Sequence, residues 1–314
     1  MRPSLTDIRA AADRIRRHIH RTPVLSCAGV DRIVGARLFF KCENFQKVGA
    51  FKIRGATNAV LSLNERAAAA GVATHSSGNH AAALALAARL RGVPAYVVMP
   101  DTAPQVKKEA VAGYGAQITF CAPTLEAREA GLARIVAETG AVFIPPYNDE
   151  RIIAGQATAA LELLADIPDL DLILTPVGGG GLVSGTALTV RSLSPPTRVI
   201  AAEPRGADDA YRSFRAGHII PSVNPQTIAD GLLTSLGDKT FAIIRDCVDD
   251  IVTVEEADIV RAMRLIWERM KIIVEPSAAV PLGALLGRSV GVRGKRVAII
   301  LSGGNVDLAR LPFS

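Results

Sequence analysis

The stretch DLILTPVGGGGLVSGTALTVR, residues 171–191, decides the fold class of this chain. The apolar run over 171–177 predicts a strand, four glycines follow at 178–181, and the run from Leu182 predicts a helix. The same succession of a short Val- and Ile-rich run and an Ala-rich helical run recurs along most of the sequence. This alternation is typical of βαβ units, so we expect an α/β fold of mainly parallel sheets flanked by helices.

The chain length and the placement of the predicted strands indicate two lobes. A single hydrophobic core stops growing near about 250–300 residues, and this chain has 314. The strands between residues 71 and 148 follow one another in one compact unit, so we expect a small domain over 71–148. Residues 1–70 and 149–314 are then expected to form a large domain around a second sheet. The predicted strands are Leu38–Cys42, Val72–His75, Ala95–Met99, Gln117–Cys121, Val142–Ile144, Asp171–Val177, Arg198–Glu203 and Arg296–Leu301.

Composition and charge exclude several classes of protein. Hydrophobic residues make up 49% of the chain and charged residues 21%, which excludes a disordered polymer. The net charge is +6, but the basic residues are spread along the sequence, so we expect no nucleic-acid partner. The chain has no apolar signal core and no run of the roughly 18 apolar residues that a membrane span needs. We therefore expect a cytoplasmic protein without a membrane partner.

Two segments predict anion sites. Each follows the carboxyl end of a predicted strand, where open α/β sheets bind ligands. The cleft between the two lobes is the expected ligand site. The glycines Gly178–Gly181 expose backbone N–H groups at a helix start, which predicts phosphate binding. Their spacing matches neither a Walker loop nor the G-x-G-x-x-G fingerprint. The segment SSGNH, residues 76–80, offers hydroxyls and helix-start N–H groups to a carboxylate or phosphate. Helix capping by Ser and Asn explains this segment equally well.

A third segment, EPRGADD at 203–209, places Glu203 and Asp209 on either side of a turn. Carboxylate and carbonyl oxygens are the ligands of hard cations, so a metal site is one interpretation. A ribose contact by Glu203, 22 positions after Gly181, is the alternative. Two further positions carry little information alone, because Lys52 at a helix start can be a solvated lysine and Ser302 can belong to a simple turn.

Taken together, the motifs resemble the fold-type II pyridoxal-phosphate (PLP) enzymes, and within them the serine racemase and serine/threonine dehydratase branch. The resemblance implies PLP as cofactor, two lobes of the tryptophan synthase β-like fold, and a homodimer. The motifs that carry it are TPVL (22–25), LFFKCENFQKVGAFKIRGATNAV (38–60), SSGNH (76–80), IAGQATAALELL (153–164), PVGGGGLVSG (176–185), AAEPRGADDAY (201–211), TIADGL (227–232), EPSAAVPL (275–282) and SGGN (302–305).

The resemblance assigns cofactor contacts to residues of this chain. Lys52, next to Phe51, would hold PLP as a Schiff base and act as the base that removes the substrate α-proton. Gly178, Gly179, Gly180 and Gly181 would bind the cofactor phosphate. Asn79 would hydrogen-bond the ring hydroxyl, and Ser302 would face the pyridine nitrogen.

The resemblance also assigns substrate and metal contacts. Ser76, Ser77, Asn79 and His80 would hold the substrate carboxylate, and Arg128 and Ser235 match positions that contact the substrate. Glu203, the carbonyl of Ala207, and Asp209 match the cation site of this branch, which takes Mg²⁺ or else Ca²⁺ or Mn²⁺. A role as metal ligand explains Glu203, so a ribose contact is not needed to explain this residue.

The expected function is a PLP-dependent dehydratase, or ammonia-lyase, that converts serine, threonine or 3-hydroxyaspartate to a 2-oxo acid and ammonia. The stretches at 207–220 and 303–313 are similar to those of bacterial 3-hydroxyaspartate dehydratases. The alternative is an amino-acid racemase, in which Lys52 and Ser77 work on opposite faces of the substrate. Simpler threonine dehydratases have Ala in place of Ser77, whose hydroxyl permits racemisation without requiring it. A non-catalytic nucleotide-binding α/β protein is a third interpretation.

Overall fold

The strands of the protein form two separate sheets, seen in a computed structural model that describes residues 2–76, 78–103 and 105–313. The strands are β1 (Val24–Leu25), β2 (Arg37–Cys42), β3 (Val72–His75), β4 (Ala95–Pro100), β5 (Gln117–Cys121), β6 (Val142–Phe143), β7 (Leu172–Pro176), β8 (Arg198–Pro204), β9 (Asp250–Val254) and β10 (Arg296–Leu301). The six-stranded sheet has the order β1-β2-β10-β7-β8-β9 and the four-stranded sheet the order β5-β4-β3-β6. Every pairing is parallel except that of β1 with β2, so the predicted fold class is confirmed.

All eight predicted strands are present, with bounds that agree to within one residue. Two strands escaped prediction, β1 and β9, and both lie at the edges of the six-stranded sheet. An edge strand has one solvated side, so it lacks the continuous apolar run that identifies a buried parallel strand. In β9, for example, only Ile251 and Val254 are buried.

Thirteen α-helices are seen in the described residues, and they cover the two sheets. The residue runs are α1 (Leu5–Ile15), α2 (Ala28–Val34), α3 (Lys52–Leu61), α4 (Glu65–Ala69), α5 (Asn79–Arg91), α6 (Gln105–Gly113), α7 (Leu125–Thr139), α8 (Glu150–Asp166), α9 (Gly181–Leu193), α10 (Asp209–Ala216), α11 (Asp238–Cys247), α12 (Glu256–Met270) and α13 (Pro276–Leu286). None of these helices combines the length and the apolar character needed to span a bilayer.

The central strand β10 shows why the six-stranded sheet is apolar on both faces. Successive side chains of a strand point to opposite faces. Ile299 packs in the cluster that includes α12 and α13, whereas Ile300 packs in the cluster that includes α9 and α11. Both side chains are fully buried. Because the sheet is packed on both faces, the ends of its strands are well positioned, and so are the starts of the loops that follow them.

Helix α3 is held in place by a buried ionic network two residues after its first residue. Arg54 donates to both oxygens of Glu43, at 2.7 and 2.8 Å, and to both oxygens of Glu162, at 2.8 and 2.9 Å. Lys41 on β2 adds a 2.6 Å contact to Glu162. Arg54 and Glu43 have no exposed side-chain surface. The network joins α3, β2 and α8 and so fixes the start of α3.

Candidate functional site

Lys52 is the first residue of α3 and is positioned by the loop that follows β10. The Phe51 amide donates to the carbonyl of Ser302 at 3.0 Å, which brings the start of α3 beside that loop. The Lys52 Nζ donates to the Pro146 carbonyl at 2.7 Å. The Lys52 residue keeps some accessible surface, but its amine lies deep in the protein, and burial lowers the pKa of Lys52 to about 8.

The glycine loop between β7 and α9 has four buried backbone N–H groups without acceptors. No residue that the structure describes accepts a hydrogen bond from the amides of Gly178–Gly181, although all four glycines are buried. Unpaired buried amides are rare in proteins, so the loop has donors available for an anion. Gly180 has a φ of 88°, a left-handed conformation that favours glycine. The phosphate site predicted from the sequence therefore has the donors that it needs.

The Tyr147 ring lies between Lys52 and the glycine loop. Its centroid is 6.0 Å from the Lys52 Nζ. A Cβ on Gly179 would lie 2.2 Å from the Tyr147 Cδ1, so no residue larger than glycine fits there without displacing the ring. Tyr147 was missed in the sequence, because the preceding prolines indicated only a loop. The lysine and the glycine loop thus border one aromatic side chain.

The SSGNH segment follows β3 and opens α5. The Ser76 hydroxyl accepts from the Gly78 amide at 3.3 Å, while Ser77 lies outside the described residues. His80 is buried, and its Nε2 lies 3.0 Å from the Ile144 carbonyl, which requires a proton on Nε2. Burial, together with the charge of Lys52, lowers the pKa of His80 to about 3, so the imidazole is neutral.

Asn79 has both ends of its amide fixed. Its Nδ2 donates to the two carboxylate oxygens of Glu275 at 3.0 and 3.1 Å, and its Oδ1 accepts from Asn305 at 2.9 Å. Burial and the charge of Asp230 raise the pKa of Glu275 to about 7. Glu275 was not singled out in the sequence, since a glutamate before Pro276 at a helix start is an ordinary feature. These bonds join the first turn of α5 to the start of α13.

A cleft of about 660 Å³ opens beside Asn79. One wall is formed by α5 and α6, which pack beside the four-stranded sheet. The other is formed by Ile228 and Asp230, by Pro276 at the start of α13, and by the segment after β10. Lys107 of α6 forms an ion pair with Asp230 across this cleft. A cleft between two lobes was expected from the sequence as the ligand site; the described lining of this cleft includes Asn79 but neither Lys52 nor the glycine loop.

The turn after β8 brings two carboxylates into the protein interior. Glu203 is fully buried, and its oxygens accept from the amides of Ala210 and Tyr211 at 2.9 and 2.8 Å. Burial is the main reason why the pKa of Glu203 rises to about 9 and that of Asp209 to about 6. Neither Asp209 oxygen completes a hydrogen bond of ordinary geometry, although Ser222 lies close enough to favour the charged form.

The described residues contain no group of three or more His, Cys, Asp or Glu side chains arranged around a metal ion. A cation at this turn would therefore depend on Glu203, Asp209, the buried Ala207 and water. The two unpartnered oxygens of Asp209 are the feature that fits a cation, because a buried carboxylate without a partner is otherwise unfavourable.

The two remaining predicted residues lie in different surroundings. Arg128 is half-buried on α7, where its Nε donates to the Thr124 carbonyl at 3.3 Å. Burial and the charge of Arg128 lower the pKa of His75, the residue before Ser76, so Arg128 lies near the end of β3. The Ser235 hydroxyl accepts from the Ser222 amide at 2.9 Å and so belongs to the surroundings of the buried carboxylates.

Comparisons with known proteins cover nearly the whole chain. The family model described as "Pyridoxal-phosphate dependent enzyme" matches residues 15–303. A beta-hydroxyaspartate dehydratase of Paracoccus denitrificans (strain Pd 1222) is 54% identical over 312 residues, which cover 99% of each chain. A serine racemase of Arabidopsis thaliana is 52% identical over 312 residues, covering 98% of this chain and 94% of the relative. The crystal structure of serine racemase from Dictyostelium discoideum has a TM-score of 0.93 at 50% identity, covering 97% and 99%.

Proposed function

We propose that this chain, which belongs to the pyridoxal-phosphate dependent enzyme family, is a dehydratase of small L-3-hydroxy amino acids. Its products would be a 2-oxo acid and ammonia. The observation that carries the proposal is that the buried Lys52 amine and the glycine loop border the same Tyr147 ring, while no described residue accepts from the four loop amides. The relatives named as dehydratase and as serine racemase are similar along the whole chain, and they support this class of reaction.

The residues of the site fit PLP. The glycine-loop amides supply donors for its phosphate at the N-terminus of α9, where the helix dipole also favours an anion. Lys52 would hold the cofactor through its amine, and Phe51 lies beside that amine, with 5.2 Å between the ring centroid and Nζ. Asn79, whose orientation is fixed by Glu275 and Asn305, would offer its second Nδ2 proton to the ring hydroxyl. Bound PLP supplies an electron sink that makes the substrate α-proton removable.

Lys52 would carry out the proton chemistry once the amino group of the substrate has displaced its amine from the cofactor. A pKa near 8 lets its amine accept the α-proton near neutral pH, which a lysine of ordinary pKa does poorly. The proton taken up by Lys52 would pass to the β-hydroxyl, which leaves as water, and the resulting enamine is hydrolysed to the 2-oxo acid and ammonia. Ser302, buried after β10, would face the pyridine nitrogen with a neutral hydroxyl. A hydroxyl does not keep that nitrogen protonated as a carboxylate does, which favours loss of the β-hydroxyl over return of the proton.

The substrate carboxylate would be held by Ser76, Ser77, Asn79 and His80 with nearby backbone amides. The neutral His80 adds no charge there, so hydrogen bonds and the start of α5 must provide the attraction. Arg128 near the end of β3 would suit the second carboxylate of 3-hydroxyaspartate, and Ser235 would contact the substrate from the large sheet's side. The similarity to the Paracoccus dehydratase supports 3-hydroxyaspartate as one of the substrates.

The test of this function is a substrate panel. The holoenzyme is incubated with L-serine, D-serine, L-threonine and the 3-hydroxyaspartate isomers, with and without Mg²⁺, while oxo acid and enantiomer are measured side by side. For at least one L-3-hydroxy amino acid, we expect the oxo acid to be formed faster than the enantiomer of that substrate is formed. Formation of the enantiomer alone would make the racemase alternative correct, and inactivity towards the whole panel would contradict both.

The racemase alternative depends on Ser77. The observation that favours this alternative is the similarity of the chain to serine racemases. Racemisation needs a second proton donor on the face opposite Lys52, whereas elimination does not. We expect Ser77→Ala to reduce racemisation by about 10²-fold or more, the usual contribution of one acid–base group, and dehydration much less. Equal losses in both reactions would mean that Ser77 only binds the carboxylate. Ser76→Ala, which removes a neighbouring hydroxyl, serves as the control.

We also propose a divalent cation, with Mg²⁺ the first choice and Ca²⁺ or Mn²⁺ as alternatives, at Glu203, Asp209 and the Ala207 carbonyl. A cation that binds only the folded chain should stabilise it by about 2.7 kcal/mol at a concentration of 100 times its Kd. We expect Mg²⁺ to raise the melting temperature of the wild type and a chelator to reverse the change. The Asp209→Asn variant should lose this response. Asp208→Asn is the matched control, because Asp208 pairs with Arg212 at 2.7 Å; the same loss in both variants would contradict the assignment.

The domain division, assembly and location remain parts of the proposal. The four-stranded sheet is built from residues within 71–148, which supports a small domain there, with 1–70 and 149–314 as the large domain. The homodimer follows from the resemblance alone, and the cytoplasmic location stays the expectation drawn from the sequence. Sedimentation of the holoenzyme at several concentrations tests the dimer directly.

A further inference from the structure

Thr240, in the first turn of α11, bonds to the backbone of the glycine loop. Its side chain is fully buried. The Thr240 Oγ1 lies 2.8 Å from the Gly179 carbonyl and 3.1 Å from the Gly237 carbonyl. A hydroxyl has one proton to donate, and the shorter distance is to Gly179. The same oxygen accepts from the Gly237 amide at 3.0 Å, so the hydroxyl is held by its own helix and turned towards the loop.

This bond sets the direction of the next amide. A trans peptide places its C=O and N–H on opposite sides, so a Gly179 carbonyl held by Thr240 turns the Gly180 N–H away from Thr240. That N–H is one of the four buried amides that lack an acceptor among the described residues. The direction of this amide therefore depends on a side chain 60 residues later in the chain. Thr240 also lies close to Gly180 itself, since a Cβ added there would be 2.9 Å from the Thr240 Cβ.

The conformational freedom of the glycine backbone explains why a restraint such as the Thr240 hydrogen bond matters. A glycine backbone has access to both left- and right-handed conformations, so the peptide between Gly179 and Gly180 can rotate at little cost. A loop that samples several orientations must be ordered when the anion binds, and this ordering weakens binding. A hydrogen bond that selects one orientation beforehand removes that cost.

The geometry points to Thr240 as a positioning residue for the cofactor phosphate: its hydroxyl holds the Gly179–Gly180 peptide so that the loop amides face the anion. The inference rests on the proposed function, since it requires PLP at this loop. Thr240 itself would touch neither the phosphate nor the substrate, and its effect would pass through the peptide that it holds.

The experiment compares cofactor affinity in three variants of the full chain. Thr240→Val replaces the hydroxyl by a methyl of similar size, and Thr240→Ser keeps the hydroxyl. Thr189→Val removes the hydroxyl of another buried threonine, which bonds to carbonyls of α9 and α8 instead of to the loop. Each apoprotein is titrated with PLP and separately with pyridoxal, which lacks the phosphate, while the visible absorbance of the bound ligand is followed. Melting temperatures of the apoproteins are measured in parallel.

We expect Thr240→Val to weaken PLP binding roughly tenfold, the effect of one net hydrogen bond, and to leave pyridoxal binding unchanged. Thr240→Ser and Thr189→Val should bind PLP within about twofold of the wild type. Equal weakening for PLP and pyridoxal would overturn the inference, because it would indicate general damage to the site. Weakening by Thr240→Ser would overturn it too, since the methyl group would then be the important part.

The two proposals can fail separately. If the wild type does not bind PLP at all, the proposed function is wrong. If the wild type binds PLP and Thr240→Val binds it equally well, only the positioning role of Thr240 is wrong. Should Thr240→Val fold poorly, its lowered apoprotein melting temperature reveals this, and Thr240→Ala titrated with both ligands replaces it.

Discussion

The Lys52→Ala variant is expected to lose turnover by at least about 10²–10⁴-fold, the range attributed to one general acid–base group. It should also lose covalent attachment of PLP, because the amine that lies deep in the site, against the Pro146 carbonyl and near the Tyr147 ring, is that of Lys52. Borohydride treatment followed by peptide mapping checks the attachment, and oxo-acid formation checks the rate. Lys295→Ala, at an exposed lysine before β10, is the control and should match the wild type.

Attachment of PLP to the wild-type apoprotein should depend on pH, because burial lowers the pKa of the lysine that forms the bond. An amine must be neutral to bond to a carbonyl carbon, and the pKa of Lys52 is lowered to about 8. Below pH 8 the amine is protonated and attachment of PLP to the apoprotein should be slow; above pH 8 the rate should level off. A rate that keeps rising to pH 10 would show an amine of ordinary pKa, and covalent PLP retained in Lys52→Ala would refute the assignment itself.

The second large effect concerns stability and is expected for Arg54→Met. The substitution removes the cation between Glu43 and Glu162, and leaving buried charges without their partner costs about 3–5 kcal/mol. Lys41 still pairs with Glu162, so Glu43, which has no exposed surface, should account for most of the loss. Urea unfolding of the apoprotein measures this free energy without any contribution from the cofactor.

The control for Arg54→Met is Arg264→Met. Arg264 pairs with Glu268 at 2.7 Å on the exposed face of α12, and such surface pairs contribute about 0–1 kcal/mol. Similar free-energy losses in the two variants would mean that the buried network adds no more than a surface ion pair. We also expect Arg54→Met to weaken PLP binding, because α3 carries both Arg54 and Lys52.

Where the signal is local, the sequence led to residues that the structure places in buried surroundings, and their binding roles stay predictions. Gly178–Gly181 could be recognised because four glycines between a strand and a helix have few other uses, and the structure shows buried, unpaired amides there. The sequence grouped Glu203 with Asp209 because they lie on either side of a turn, and the structure shows that both carboxylates are buried. The roles of Lys52, Asn79 and Ser302 came from the resemblance, since each of them alone fits an ordinary helix start or turn.

The residues that escaped prediction act over long sequence distances. Pro146 accepts from Lys52, Glu275 fixes Asn79, and Thr240 holds Gly179, yet no local pattern relates the members of any pair. The lowered pKa of Lys52 is equally invisible in the sequence, because it depends on how deeply the amine is buried.

Apart from the edge strands β1 and β9, the sequence by itself determined the alternation of strands and helices, the parallel sheets and the glycine loop, because hydrophobic periodicity and glycine placement are properties of neighbouring residues. Only the tertiary structure decided which groups meet: the amine of Lys52 with the Pro146 carbonyl, the amide of Asn79 with Glu275, and the hydroxyl of Thr240 with Gly179. Burial and hydrogen bonding between distant segments arise when the two sheets and their helices pack together, and that packing sets the charge and orientation of the groups in the site.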